Sequence, residues 1–135
     1  HGGRKFIAFT FDDGYSDNLT HAYPILKKYN IPFTIYVATN YPDGRLTPWW
    51  YPLEELILKS DCLEFKEDGQ YQKFDCKSLP EKEITFHNIR TLLMGGPHSD
   101  LLSRVQSFFS FYNVDLSEAT KGYMLTWEQI KKLNN

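Results

Sequence analysis

The stretch Thr10-Phe11-Asp12-Asp13-Gly14-Tyr15 places two adjacent carboxylates directly after an apolar run and directly before a glycine. The preceding run, residues 5–11, is typical of a strand that is apolar on both faces in a buried parallel sheet. Gly14 permits a sharp turn where the strand ends. Because two like charges repel and resist burial, a bound cation is the simplest compensation for them. The stretch therefore predicts a strand, a turn and a candidate cation site.

The residues after this turn predict a helix and then a second strand, residues 33–38, which is again apolar on both faces. Ser16 or Asp17 would cap the helix, and Pro24 either kinks it or marks the start of its main part. Strand, helix and strand make a βαβ unit with parallel strands. The apolar residues at helical spacing are Leu19, Ala22, Tyr23, Leu26 and Tyr29.

Residues 48–120 predict a mainly helical segment that contains one β-hairpin, over residues 62–76 with its turn at Asp68-Gly69. A short helix over residues 49–59 precedes the hairpin. The pattern Ser78-Leu79-Pro80-Glu81 is a capping box and predicts a helix that runs to about Met94. The clearest helix follows, with an apolar stripe that excludes Phe111, which we expect to be exposed. The stripe consists of Leu101, Leu102, Val105, Phe108, Phe109 and Tyr112.

The two cysteines, Cys62 and Cys76, flank the predicted hairpin. If Leu63 and Phe74 share a face, the two cysteines lie on opposite faces and remain free thiols. The alternative register pairs the cysteines but sets Leu63 beside a charged residue. We expect free thiols, and the redox compartment stays open.

Composition limits the classes of function. The chain has 135 residues, a hydrophobic share of 41% and a net charge of −2. These values favour a folded domain or part of one, and they argue against nucleic acid as a main partner. The apolar runs are too short to predict a transmembrane segment, and we expect no signal peptide within these 135 residues.

Three stretches together carry a resemblance: residues 10–15, residues 23–38, and Leu125-Thr126-Trp127-Glu128-Gln129-Ile130. In this order they resemble the first motif, the first helix with the second strand, and a later helix of the polysaccharide deacetylases, the NodB-homology family. The resemblance implies an α/β fold, a partial (β/α) barrel with an inserted mainly helical subdomain that contains the hairpin. The implied organisation is 1–47 as the N-terminal βαβ part, 48–120 as the insertion and 121–135 as a truncated return helix.

By resemblance, Asp12 is the general base and Asp13 the ligand of a divalent metal, with zinc expected first and cobalt or nickel as alternatives. Tyr15, beside the acids, is assigned to substrate binding. The implied reaction removes acetyl groups from a polysaccharide, from nitrogen or from oxygen. The alternative interpretation is a turn whose carboxylates cap backbone amides. In that case the chain is a non-catalytic carbohydrate- or protein-binding module.

The family completes its metal site with a His-x-x-x-His motif, which these 135 residues do not contain. None of His21, His87 and His98 is spaced to join Asp13. We therefore expect an N-terminal part of the family fold that is inactive alone, with metal weakly bound or absent. Strands without their barrel neighbours leave open edges, so we also expect self-association through them. Relatives are often secreted or held in the cell envelope, and the compartment of this chain stays open.

The aromatic pair Trp49 and Trp50 has two interpretations. Exposed rings would form a platform on which sugar rings stack, which would place both residues in substrate binding. Buried rings would instead begin the core of the inserted segment.

Overall fold

A computed structural model describes residues 5–67 and 70–133, and the chain divides into two compact units. The first, here the discontinuous unit, holds the residues up to Leu46 together with those from Lys121 onward. The second, here the inserted unit, is Thr47–Thr120. The architecture is mixed α/β, with helices and two separate two-stranded sheets. With two strands in each sheet, the described residues form no closed barrel.

The discontinuous unit begins with the predicted strand, helix and strand. Strand β1 (Phe9–Phe11) pairs in parallel with β2 (Phe33–Ile35). Between them a π-helical turn, Asn18–Ala22, leads into α1 (Tyr23–Lys28). Pro24 lies in the first turn of α1, where a missing amide hydrogen removes no helical hydrogen bond. The βαβ prediction is therefore confirmed, and Pro24 marks the start of the main helix.

Both strands are shorter than predicted, and much of their apolar surface is exposed. Phe6 and Ile7, predicted to lie in the first strand, are 89% and 80% exposed and precede it. The register that pairs Phe9 with Phe33 would set Ile7 opposite Ile31. The Ile31 N–H instead donates to the Leu26 carbonyl of α1. Ile31 is therefore not paired as a strand residue opposite Ile7. The prediction of burial on both faces is wrong for these residues.

The inserted unit packs its helices and a hairpin around one apolar core. Its helices are α2 (Trp50–Leu58), α3 (Leu79–Met94), α4 (Leu101–Phe111) and α5 (Leu116–Ala119). Its strands β3 (Cys62–Glu67) and β4 (Gln70–Asp75) are antiparallel. The buried residues of the core are Trp49, Leu53, Ile57, Leu63, Phe74, Cys76, Ile89, Leu93, Val105, Phe108 and Phe109.

Local sequence signals explain where α3 and α4 begin and which faces they bury. The predicted capping box is confirmed: the Glu81 N–H donates to Ser78 Oγ, and the Ser78 N–H donates to a carboxylate oxygen of Glu81 at 2.7 Å. On α4, Phe111 is exposed as predicted. Leu102 was predicted on the buried stripe but is 37% exposed, because it lies at the margin of the apolar face.

The hairpin has the register in which the cysteines lie on opposite faces. Leu63 pairs with Phe74 and Cys62 with Asp75, and both thiols are free. The prediction of free thiols is confirmed. Burial raises the pKa of the Cys76 thiol, so this thiol stays protonated at neutral pH. The predicted turn at Asp68-Gly69 lies outside the described residues.

Helix α6 (Trp127–Leu133) belongs to the discontinuous unit. Its start has the geometry of a second capping box: the Gln129 N–H donates to Thr126 Oγ1 at 3.2 Å, and the Thr126 N–H donates to Gln129 Oε1 at 2.8 Å. Among the described residues, no helix combines the length and the apolar character that crossing a bilayer requires.

Candidate functional site

Asp12 and Asp13 follow β1 directly and form a tight turn at its carboxyl end. The Gly14 N–H donates to the Asp12 carbonyl at 2.8 Å, and Asp13 and Gly14 have φ angles of 64° and 80°. A β-carbon at position 14 would lie 3.2 Å from a methyl carbon of Val37, so the turn requires glycine there. The left-handed backbone of Asp13 costs roughly 1–2 kcal/mol, although aspartate tolerates that conformation better than most residues.

Both carboxylates are exposed, and they line an open depression of about 440 Å³ together with Tyr36, Val37 and Ala38. No hydrogen bond joins either carboxylate to another residue that the structure describes. A turn that caps backbone amides would show such bonds, as Asp115 does at the start of α5. The acids are therefore placed for contact with solvent, a cation or a bound molecule.

Backbone hydrogen bonds hold this turn from two directions. On one side, the Ala38 N–H donates to the Asp13 carbonyl at 3.3 Å. On the other, the Leu125 N–H donates to the Gly14 carbonyl at 2.9 Å. An isolated antiparallel bridge between Tyr15 and Met124 continues the second contact. Residues distant in sequence thus fix the position of the acids.

Tyr41 is a candidate that sequence reasoning missed. Burial raises the pKa of its hydroxyl, and the negative charge of nearby Asp13 raises that pKa further. The hydroxyl is protonated at neutral pH, as a tyrosine ordinarily is, and it can donate a hydrogen bond. The signal was available, because residues after β2 must lie near residues after β1 when the strands are parallel and adjacent.

The aromatic candidates are placed differently from one another. Trp49 is 5% exposed and belongs to the core of the inserted unit, so its ring has no face for a sugar. The sugar-stacking interpretation of Trp49 is corrected accordingly, in favour of the core interpretation. Trp50 is half-buried and packs against Trp49 with ring centres 6.0 Å apart. Tyr15 is half-buried and adjoins the acidic turn.

The described residues contain no group of three or more His, Cys, Asp or Glu side chains placed to hold a metal ion. His21, the described histidine of the discontinuous unit, is hydrogen-bonded through Nδ1 to Thr20 Oγ1 at 2.8 Å. Zinc sites usually take three protein ligands, so Asp12 and Asp13 offer part of such a site and do not complete one.

Comparison with known proteins points to the same part of the chain. The family model described as polysaccharide deacetylase matches residues 1–69, just over half of the sequence, and the chain belongs to this family. A Bacillus subtilis (strain 168) protein named "Putative polysaccharide deacetylase YxkH" is 54% identical over 33 residues. That match covers 24% of this chain and 12% of the relative, so most of the relative has no counterpart in the match. No solved structure matches the chain.

Proposed function

We propose that this chain is the acid-bearing part of an enzyme that removes acetyl groups from a polysaccharide, by N-deacetylation or O-deacetylation. Family membership supports a deacetylase function in general. The observation that carries the proposal is the exposed pair Asp12 and Asp13 at the carboxyl end of β1, beside an open depression. Active sites of parallel β/α folds lie at this end of the strands.

In this proposal, Asp12 is the general base and accepts the proton that the attacking water loses. A positioned base of this kind contributes roughly 100- to 10,000-fold in rate. Asp13 is one ligand of a divalent metal, zinc first and cobalt or nickel as alternatives. When bound, such an ion would polarise the acetyl carbonyl and acidify water. Tyr15, beside the acids, contacts the substrate.

The proposal is tested by deacetylation of acetylated chito-oligosaccharide and acetylxylan with added zinc, cobalt or nickel. The 135-residue chain should show little turnover, because its described residues do not complete a metal site. A longer polypeptide that carries this sequence and a His-x-x-x-His motif should be active, and Asp12→Asn should lower its kcat roughly 100- to 10,000-fold. Asp17→Asn, another exposed acid nearby, is the matched control and should leave kcat unchanged.

A metal titration separates this proposal from the alternative of a non-catalytic carbohydrate- or protein-binding module. In the longer polypeptide, Asp13→Ala should weaken zinc binding at least tenfold, whereas Asp17→Ala should not. Equal zinc affinity in both variants, together with no deacetylation by the longer polypeptide, would favour the binding module.

Self-association is a separate proposal, and the exposed apolar residues of the discontinuous unit support it. Phe6 and Ile7, which precede β1, are 89% and 80% exposed, and Tyr36, which follows β2, is 60% exposed; exposed large apolar side chains of this kind often lie at interfaces. We expect light scattering to show dimers or larger species whose fraction rises with protein concentration. Phe6→Ser combined with Ile7→Ser should reduce that fraction, and a strictly monomeric wild-type chain would contradict the proposal.

A further inference from the structure

The acidic turn is bonded to residues that follow β2, and these form a short irregular segment. We call residues 38–45 the strap. Within it, the Tyr41 N–H donates to the Ala38 carbonyl at 3.0 Å, and the Gly44 N–H donates to the Tyr41 carbonyl at 2.9 Å. These two hydrogen bonds connect Ala38 with Gly44 through Tyr41.

Each end of the strap is bonded to a different part of the discontinuous unit. At the first end, the Ala38 N–H donates to the Asp13 carbonyl at 3.3 Å. At the other end, the indole Nε1–H of Trp127 donates to Asp43 Oδ1 at 2.9 Å. The capping box of Thr126 and Gln129 fixes the backbone that carries this indole. The first residue of α6 is thus connected to the candidate metal ligand through the strap.

We propose that Trp127 and Asp43 are positioning residues for Asp13, and that their hydrogen bond fixes the strap and thereby the Asp13 carboxylate. The inference rests on the proposed function, since it concerns how the proposed ligand is held. Asp13 needs such support because its φ of 64° lies in a region that residues other than glycine rarely adopt. A residue in a strained conformation relaxes when the surrounding hydrogen bonds that impose it are lost.

Two variants remove the Trp127–Asp43 hydrogen bond from opposite sides. Trp127→Phe keeps an aromatic ring but loses the donor, and Asp43→Ala loses the acceptor. Asp43→Asn keeps a side-chain oxygen in place and should behave as the wild type. Glu128→Gln is the matched control: it is the next residue of α6, and its exposed ion pair with Lys132, at 3.1 Å, lies within that helix.

The first readout is hydrogen exchange of the Ala38 amide, measured by NMR on the 135-residue chain. Local opening sets this rate, and loss of one hydrogen bond corresponds to roughly a three- to tenfold acceleration. Trp127→Phe and Asp43→Ala should both show it, while Asp43→Asn and Glu128→Gln should not. The Leu125 amide, bonded on the other side of the turn, should exchange at the wild-type rate in all four variants.

The second readout is the broadening of the Gly14 amide signal by Mn²⁺, a paramagnetic ion that binds carboxylate oxygens. Trp127→Phe and Asp43→Ala should raise the Mn²⁺ concentration at half-maximal broadening about threefold or more, because the Asp13 carboxylate is then less well placed. A merely structural role would change exchange without changing the broadening, and that result would overturn the proposal. Wild-type behaviour of both variants in both readouts would overturn it as well.

Failure of the proposed function would look different. If Asp13→Ala leaves the Mn²⁺ broadening unchanged, Asp13 is not a metal ligand, and exchange at Ala38 alone then decides whether Trp127 and Asp43 hold its backbone. If circular dichroism shows that Trp127→Phe does not fold, Asp43→Ala, which changes only the strap, decides the question.

Discussion

The two units of this chain differ in how they are stabilised. The inserted unit buries a continuous core in which Leu53, Val105 and Phe108 are fully inaccessible to solvent. In the discontinuous unit, the buried hydrophobic residues among those described are Leu26 and Leu125. Its sheet has three-residue strands, and the acidic turn is held by backbone hydrogen bonds. Core packing and the candidate chemistry therefore lie in different units.

This difference has a physical reason. A site that must reach solvent and substrate exposes polar groups, and exposed polar groups contribute little apolar burial. Unfolding of the inserted unit should therefore require more free energy than local opening of the acidic turn. The first three of the following predictions compare a buried or bonded residue of the inserted unit with an exposed residue of the same type, and the fourth concerns two caps of its helices.

The largest effect should come from Phe108→Ala. The Phe108 side chain is fully buried, and the centre of its ring lies 5.0 Å from the ring centre of Phe65 and 5.2 Å from that of Phe109. Its removal should lower the free energy of unfolding of the inserted unit by about 3–5 kcal/mol through lost burial and an unfilled cavity. Urea unfolding measures the change. Phe6→Ala, at a residue 89% exposed in the other unit, should change stability by less than about 0.5 kcal/mol.

Lys82→Met should have the next largest effect. The Lys82 ammonium donates to the carbonyls of Ile57, Leu58 and Ser60 at 2.8–3.0 Å, where α2 ends. Loss of this charged cap should cost about 1–3 kcal/mol of unfolding free energy. The control is Lys59→Met, since the Lys59 ammonium contacts Glu55 in a surface ion pair worth about 0–1 kcal/mol. Equal losses of unfolding free energy in the two variants would show that the Lys82 cap of α2 contributes no more than a surface ion pair.

Tyr112→Phe should have a smaller effect, of about 1–2 kcal/mol. The Tyr112 hydroxyl accepts from the Glu64 N–H at 2.7 Å and donates to the Glu64 carbonyl at 2.6 Å, which joins the end of α4 to β3. Tyr71→Phe, on the exposed face of β4, is the control and should be neutral within about 0.5 kcal/mol. Hydrogen exchange at Glu64 would locate the loss, and an unchanged Glu64 amide in Tyr112→Phe would contradict the assignment.

The smallest effect should be a dependence of stability on acid pH. Hydrogen bonds from the Ser78 side chain and backbone hold the pKa of Glu81 below its usual value, and bonds from Ser117 do the same for Asp115. Since each folded-state pKa lies below the unfolded value, the stabilisation is present above the unfolded pKa and is lost as pH falls through the folded one.

The test of this pH dependence is the double variant Glu81→Gln and Asp115→Asn, which keeps both caps but removes their titration. Its urea midpoint should fall less between pH 6 and pH 2 than that of the wild type. An identical fall in the two proteins would show that other carboxylates cause the acid sensitivity.

Signals within a few residues of one another were sufficient to predict much of this fold. The Ser78 capping box predicted the start of α3. The expectation that Leu63 and Phe74 share the apolar face predicted the hairpin register and the free thiols. Both depend on hydrogen bonds or faces that the local sequence determines. The parallel pairing of β1 with β2 was also predictable, because a helix of suitable length joins two apolar runs.

What failed depended on packing that local sequence does not contain. Phe6 and Ile7 look like buried strand residues, but the end of α1 leaves them without a strand partner in the described structure. Trp49 fitted two interpretations equally well until its burial was known. The placement of Asp12 and Asp13 after β1 was predicted from sequence. The hydrogen bond from the Trp127 indole to Asp43 was not, because it joins residues that lie 84 positions apart.

The bond between Tyr112 and Glu64 also bears on how the hairpin meets other polypeptides. In an antiparallel ladder, every second residue of an outer strand directs its N–H and C=O away from its neighbour, where an incoming strand could add. At Glu64 the phenol of Tyr112 already occupies both groups. A foreign strand would have to displace that ring before it could dock, so β3 is a poor template for fibril growth at this position.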